Sequence, residues 1–255
     1  MTTVFSKNCL TGGTYLVTGA SSGIGQGTAR LITQCGGRVI ISGRNEARLN
    51  ETLSSLEGLG HIASVVDLID ADQTADWMKS IVQEHGTLSG VFHSAGTALI
   101  RPIRLTKQLQ LNEIFGSGLF AAFGIARAAS QKNAIVDGGS LVFMSSVAGS
   151  AGQQGMTAYS AGKAGIDALV RSLACEMASR KIRVNSIVAG AVKTAMHDKL
   201  VETNNDDAMS EYERSHLLGF GEVNDISNTA IFLLSPASNW ITGTSLVVDG
   251  GYKVR

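Results

Sequence analysis

Proline is nearly absent from this chain, with two residues in 255, whereas glycine supplies thirty. No proline-rich linker is present, and many glycines stand where apolar runs enter turns that need a backbone without Cβ. Neither charge sign dominates: 21 Lys and Arg balance 21 Asp and Glu, with no long run of like charge. The chain therefore lacks the electrostatic footprint of a nucleic-acid or anionic-membrane binder, and a small-molecule partner is expected. Cysteine is scarce and odd in number. Cys9, Cys35 and Cys175 lie far apart with no C-x-x-C pair, so reduced thiols packed as small apolar groups are expected, without a redox, zinc or catalytic role. Five scattered histidines form no ligand-spaced cluster, and no metal is expected. No apolar run reaches the ~18 residues of a bilayer span, and the N-terminal MTTVFSKNCLTGG has no long apolar h-region. No membrane partner and a cytoplasmic location are the corresponding expectations.

What is present is an alternation. The apolar runs 14–18 (TYLVT), 38–42 (RVIIS), 64–66 (SVV), 88–93 (LSGVFH), 140–145 (SLVFMS), 182–188 (IRVNSIV) and 244–249 (TSLVVD) are short and largely continuous, as parallel strands buried on both faces require. Helical spacing covers 23–35, 45–57, 71–85, 107–131, 157–179 and 224–235. Such alternation implies right-handed crossovers and an α/β fold, a doubly wound parallel sheet of about seven strands with helices on both faces. No repeat, low-complexity tract or linker interrupts it, so residues 1–255 are expected to form one domain. The polar segment 193–222, which includes Met196, His197, Leu200, Met209 and Tyr212, follows a strand and breaks the rhythm. At the carboxyl edge of a parallel sheet it is placed to be a substrate lid or a plain surface excursion.

The segment LVTGASSGIGQGTA puts Gly19, Gly23 and Gly25 at the exit of the first strand, just before a helix. That position suits a tight turn, close approach of a pyrophosphate to the backbone, and anion binding at a helix N-terminus. Thr18-Gly19-Ala20-Ser21-Ser22-Gly23-Ile24-Gly25 resembles the T-G-x-x-x-G-x-G turn of the short-chain dehydrogenase/reductase family, a Rossmann-type fold. The second strand ends in Gly43-Arg44 rather than a carboxylate; a guanidinium pairs with a 2′-phosphate that a carboxylate would repel, which favours NADP(H) over NAD(H). Arg44 also suits a plain turn and helix start, since Ser42-Gly43-Arg44-Asn45 has good turn and cap residues.

The resemblance extends over nearly the whole chain. It implies that Asp67 and Leu68 bracket the adenine ring, and that Ser94-Ala95-Gly96 in FHSAG corresponds to the family's N-A-G, with Ser94 replacing asparagine. His93 is expected to be a packed strand-end residue without a proton partner. NSIVAGAVKTAM is similar to N-x-x-x-P-G-x-V-x-T, so Gly190, Val192 and Thr194 are expected to hold the nicotinamide carboxamide, with Ala189 at the proline position.

Tyr159 and Lys163 in YSAGK are four residues apart, and on a helix they share a face. A neighbouring ammonium favours the phenolate of a tyrosine whose free pKa is ~10, so the pair is expected to exchange a proton near neutrality. Ser146 lies thirteen residues before Tyr159, the spacing at which the family places its carbonyl-binding serine. The resemblance thus implies a reductase of the 3-oxoacyl-acyl-carrier-protein-reductase-like kind, transferring hydride to a ketone and reversible as an alcohol dehydrogenase. Tyr159 would deliver the proton and Lys163 would also bind the nicotinamide ribose. Homo-oligomers, tetramers or dimers, are implied, with contacts through 107–131, 157–179 and the last strand. One position departs sharply: Phe115 stands where the family carries a catalytic asparagine, and Asn112 could replace it only from a shifted or bulged helix. A nucleotide-binding protein with little turnover is therefore the alternative reading; an extended-branch epimerase fits the turn spacing less well.

Overall fold

Seven parallel strands carry the molecule: β1 (Thr14–Thr18), β2 (Arg38–Gly43), β3 (Ile62–Val65), β4 (Leu88–His93), β5 (Ile135–Ser146), β6 (Arg183–Ala189) and β7 (Ser245–Val248). The computed structural model describes residues 4–197 and 206–254. Strand order is β3-β2-β1-β4-β5-β6-β7, and the reversal between β1 and β4 creates the crevice at which α/β folds bind ligands. The helices are α1 (Gly23–Gln34), α2 (Glu46–Ser54), α3 (Ala71–His85), α4 (Gln108–Phe115), α5 (Ala121–Ala129), α6 (Thr157–Met177), α7 (Asp206–Arg214) and α8 (Val223–Leu234).

Side-chain alternation along each strand divides the core into two layers. Leu16, Ile40, Val91, Leu141, Phe143 and Val184 pack under α3, α5 and α6. Their sequence neighbours Val17, Val39, Ile41, Phe92 and Val142 pack with α1 and α8 on the other face. Gly27 lets α8 approach closely, since a Cβ there would stand 2.3 Å from Val223 Cγ1. Asn45 and Asp70 cap α2 and α3, accepting from the backbone N–H groups of Arg48 and Gln73.

The expected strands are present to within about two residues except β5, which begins five residues before the expected 140, and three further details differ from the sequence reading. First, the helix expected over 107–131 is two helices joined by a π-helical turn, Gly116–Phe120. Second, this composite, Gln108–Ala129, is 22 residues long and apolar enough to cross a membrane by length and composition. Its apolarity serves packing, because Ala121, Ala122, Ile125 and Ala128 are buried against α3 and α6. Third, Cys35 is buried but Cys175 is exposed on α6 and not packed as expected.

At the opposite edge from the glycine turn, Arg183 is buried beneath the sheet. Its Nη1 donates to Leu233 O and Ser238 Oγ, both at 2.6 Å, and its Nη2 donates to Ser235 O at 3.1 Å. A guanidinium thus satisfies carbonyls at the negative end of α8. Arg183→Met should destabilise the protein by about 2–4 kcal/mol in a urea titration, through lost charge-assisted hydrogen bonds and orphaned carbonyls; an unchanged midpoint would contradict this role.

Candidate active site

The site is built at the carboxyl ends of the strands. Gly19 leaves β1 at φ +67°, and a Cβ there would lie 2.7 Å from Ala95 N. Only a residue without a side chain lets the β1 turn lie against the Ser94–Gly96 segment that leaves β4. A Cβ on Gly25 would meet Gly19 O at 2.3 Å, which closes the turn onto the first turn of α1. Ser22 is the N-cap of α1 without a side-chain cap bond, and no acidic residue lies in that first turn. This cradle fits an anionic diphosphate at a helix N-terminus. Across from it, Thr194 Cγ2 stands 3.4 Å from where a Cβ of Gly23 would be, so the 190–194 loop faces the glycine turn. Gly190 is pressed against Asp249, and Val192 forms a bridge with Gly221. Ala189 remains in β6, paired with Ser146 and Val248.

The outer end of the cradle lies beside β2. Gly43 abuts Ser21, whose Oγ would be 3.2 Å from an added Cβ. Arg44 Nε lies 3.7 Å from Asp67 Oδ1, and both side chains are at least half exposed. Leu68, next in the chain, is buried. Ile24 is partly buried against the α1–α8 core layer.

His93 differs from the expectation of a residue without partners. Its Nδ1 lies 2.8 Å from Thr18 Oγ1 and its Nε2 3.1 Å from Gly118 O in the π turn. Thr18 Oγ1 also accepts from the N–H groups of Ser94 and Ala95. That arrangement has Thr18 donating to Nδ1 and Nε2–H donating to Gly118, a neutral ring. Burial, with the charge of Lys163 acting in the same direction, holds its pKa down at about 4, against the Gly118 hydrogen bond that raises it. His93 links the glycine turn to the helix that carries Phe115.

Tyr159 and Lys163 share one face of α6, and Ser146 ends β5 beside them. Ser146 Oγ accepts from Ala148 N at 3.2 Å and is hydrogen-bonded to the Tyr159 hydroxyl. Lys163 Nζ lies 5.6 Å from the centroid of the Tyr159 ring and donates to Met144 O at 2.8 Å. The expected lowering of the phenol pKa by Lys163 is not seen. Burial raises it above 10, and the counteracting influence is the Ser146 hydrogen bond. The physical reason is that the ammonium turns to the Met144 carbonyl, while removal from water penalises the phenolate. Lys163 itself is brought down to about 8 by burial, opposed by the charge of Asp167.

Phe115 occupies the wall opposite this pair, its ring 3.3 Å from the position of a Cβ on Gly162 and edge-on to Phe120. The helix is bulged, yet Asn112 does not take the asparagine's place: it is exposed, accepting from Gln108 Nε2 at 2.7 Å. A cavity of about 10 Å³ lies between Gly96, Gly118, Tyr159, Gly162 and Lys163, the size at which one water fits.

Part of the expected lid, including Leu200, lies outside the described residues, as does the side chain of Met209. In the described part, His216 joins α7 to the 190–194 loop: Ala191 N donates to Nε2 at 3.1 Å, and Nδ1 donates to Tyr212 O at 2.9 Å. Tyr212, His216, Phe220 and Tyr252 stack as one aromatic group. The Tyr212 hydroxyl is pushed up to about 12, by burial first and then by Tyr252 and Tyr159, so it stands within electrostatic reach of Tyr159. This aromatic group was not legible as a unit, because its members come from a polar segment and the chain terminus.

Comparison with known proteins gives the class. Residues 19–253 match a family model described as enoyl-(acyl carrier protein) reductase. The chain is 32 % identical over 247 residues to the 3-oxoacyl-(acyl-carrier-protein) reductase FabG of Thermotoga maritima, covering 96 % of this chain and 99 % of that protein. It is 32 % identical over 253 residues to a tropinone reductase homolog of Arabidopsis thaliana, covering 98 % and 94 %. A short-chain type dehydrogenase/reductase of Mycobacterium ulcerans superposes with a TM-score of 0.87 at 32 % identity, covering 98 % and 92 %. These matches define an oxidoreductase class whose members bind a nicotinamide cofactor. The chain belongs to the short-chain dehydrogenase/reductase family and is 3-oxoacyl-acyl-carrier-protein-reductase-like.

The neutral His93 sets a pH dependence. Its folded pKa of about 4 lies below the ordinary 6.5, so its contribution to stability is complete above pH 6.5 and is lost as pH falls toward 4. Histidine NMR should show one ring that stays neutral from pH 8 down to 5, absent in His93→Gln; five rings titrating near 6.5 would contradict the buried network.

Proposed function

We propose that the protein is an NADP(H)-dependent carbonyl reductase that transfers hydride to a ketone, a 3-oxoacyl compound or another carbonyl substrate, and runs in reverse as an alcohol dehydrogenase. The observation that carries this reading is the convergence of the Ser146 and Tyr159 hydroxyls, with Lys163 beneath, at the same sheet edge as the glycine cradle. Bound in that cradle, the dinucleotide supplies or accepts the hydride. Gly19, Ser21, Ser22, Gly23, Ile24 and Gly25 hold its diphosphate. Arg44 takes the 2′-phosphate, while Asp67 and Leu68 flank the adenine. Ser94, Ala95 and Gly96, with Gly190, Val192 and Thr194, bound the nicotinamide half, and Tyr159 and Lys163 reach its ribose.

On this reading, Ser146 donates to the substrate oxygen, where negative charge develops. In the free pocket its oxygen accepts from Ala148 N and its hydrogen is directed at the Tyr159 oxygen, so that hydrogen turns to the substrate oxygen when a ketone enters. Tyr159, protonated in the free pocket, donates its proton to the same oxygen. Lys163, brought down to about 8, is poised to resupply that proton through the small cavity beside Gly118. The aromatic group around Tyr212 forms the lid side of the substrate pocket. Exposed Leu109, Phe120 and Phe123 on the α4–α5 face, and Val247 on the edge strand β7, support a homo-oligomer, a tetramer or dimer. Cys9, Cys35 and Cys175 are not joined in disulfides, which suits a reducing, cytoplasmic compartment.

A second reading has one observation behind it: Phe115 and the outward-turned Asn112 leave the proton route without its family asparagine. A nucleotide-binding regulatory protein of low turnover would carry these features. NADPH oxidation measured against a panel of ketones separates the two. Tyr159→Phe should lower kcat about 10²-fold or more with little change in NADPH affinity; tight NADPH binding without turnover, indifferent to this substitution, would establish the second. Arg44→Asp should lower the ratio of NADPH to NADH affinity by about tenfold or more; an unchanged ratio would remove Arg44 from cofactor selection.

A further inference from the structure

The face of α6 that carries Tyr159 and Lys163 continues one turn further to Asp167, so three functional groups stand at i, i+4 and i+8. Asp167 is buried, and its carboxylate is held by three strands at once. Ser145 of β5 donates to Oδ2 at 3.0 Å, while Ser186 of β6 and Ser245 of β7 donate to Oδ1 at 2.7 and 3.1 Å. The same Ser145 hydrogen is shared with the backbone carbonyl of Lys163 at 3.3 Å, and Lys163 Nζ donates to the carbonyl of Met144, one residue earlier on β5. Helix and sheet are thus fastened at two successive residues immediately before Ser146.

Packing alone does not explain a carboxylate here. A buried acid is costly, and a well-packed apolar residue of similar volume is often as stable or more so. What an apolar residue would not supply is a negative charge one helical turn behind a buried ammonium, where burial otherwise favours the neutral amine.

We propose that Asp167 is a positioning residue for the proton-transfer pair, fixing the Ser145–Ser146 strand end against α6 and keeping Lys163 protonated through its charge. This rests on the assignment of Tyr159 and Lys163 to proton transfer. The ionisable groups facing Lys163 are Tyr159 and Asp167 on its own helix and His93 on β4, and His93 is neutral. Removing the charge of Asp167 leaves the Met144 carbonyl as the remaining acceptor for the ammonium and no neighbouring negative charge to oppose its desolvation, so the sign of the effect is a lower Lys163 pKa.

The test is the titration midpoint of the Lys163 side chain, read by NMR on the free protein with isotope-labelled lysine and assigned with Lys163→Met. Asp167→Asn should move the midpoint down by about half to one pH unit, and the alkaline limb of kcat/KM should move to lower pH with it. Asp167→Glu should restore both. Asp167→Ser, small and able to bond with the three serines, serves as a second uncharged variant and should give the same downward shift. A folded uncharged variant with an unmoved Lys163 midpoint would overturn the proposal, even if its thermal stability falls, because a purely structural role predicts that pattern. The midpoint requires no turnover, so its failure is separate from failure of the catalytic reading, which shows instead as activity indifferent to Tyr159→Phe.

Discussion

A buried ammonium must find acceptors, and the way Lys163 does so organises the carboxyl edge of the sheet. Its head is bound to Met144 O on β5, its backbone carbonyl is bound by Ser145, and its neighbour one turn on is held by serines of three strands. These bonds set the height and rotation of α6 against the sheet. Tyr159 and Ser146 meet because the elements that carry them are fastened a few ångströms below. Positions of reacting groups matter at this scale, so the polar seam under α6 is part of the site rather than background packing.

The fold was legible because buried parallel strands write themselves as short continuous apolar runs. All seven were read from such runs, and β1, β4 and β6 differ from their expected bounds by at most a residue. The π turn at Gly116–Phe120 was not legible in the periodicity: an inserted residue shifts the helical phase by about 100°, but 108–129 is apolar over so much of its circumference that the shift leaves no break in the pattern. The positions of Ser146, Tyr159 and Lys163 were fixed by spacing on a strand end and a helix. Their electrostatics were not, because the pKa of Tyr159 depends on which way the Lys163 head turns, and that is decided by the Met144 carbonyl. The His93 network was missed for a related reason. Its partners, Thr18 and Gly118, are 75 and 25 residues away and are joined only by strand pairing and by the bulge.

Departures from the family pattern gather on one side of the pocket. Ala189 continues the β6 ladder where the family carries a proline, Ser94 stands for an asparagine at the β4 exit, and Phe115 lines the wall beside Gly162. Ser94 and Ala189 meet the glycine turn and Ser146 through backbone atoms, by the Thr18 hydrogen bond and by strand pairing, which a change of side chain leaves available. Besides Tyr159, the polar side chains lining the small cavity are Thr97 and Lys163, so with no amide side chain there the proton supply to Tyr159 depends more heavily on Lys163 and on what holds it.

At Tyr159 burial outweighs the Ser146 hydrogen bond, and the ammonium of Lys163 is turned to Met144, so that in the free protein the phenol is a proton donor in waiting rather than a standing phenolate. An ultraviolet difference titration of the wild type against Tyr159→Phe isolates that one ionisation. Ionisation above the ordinary tyrosine value of 10 is the expected result; a phenolate that forms near neutral pH before any cofactor is added would contradict it.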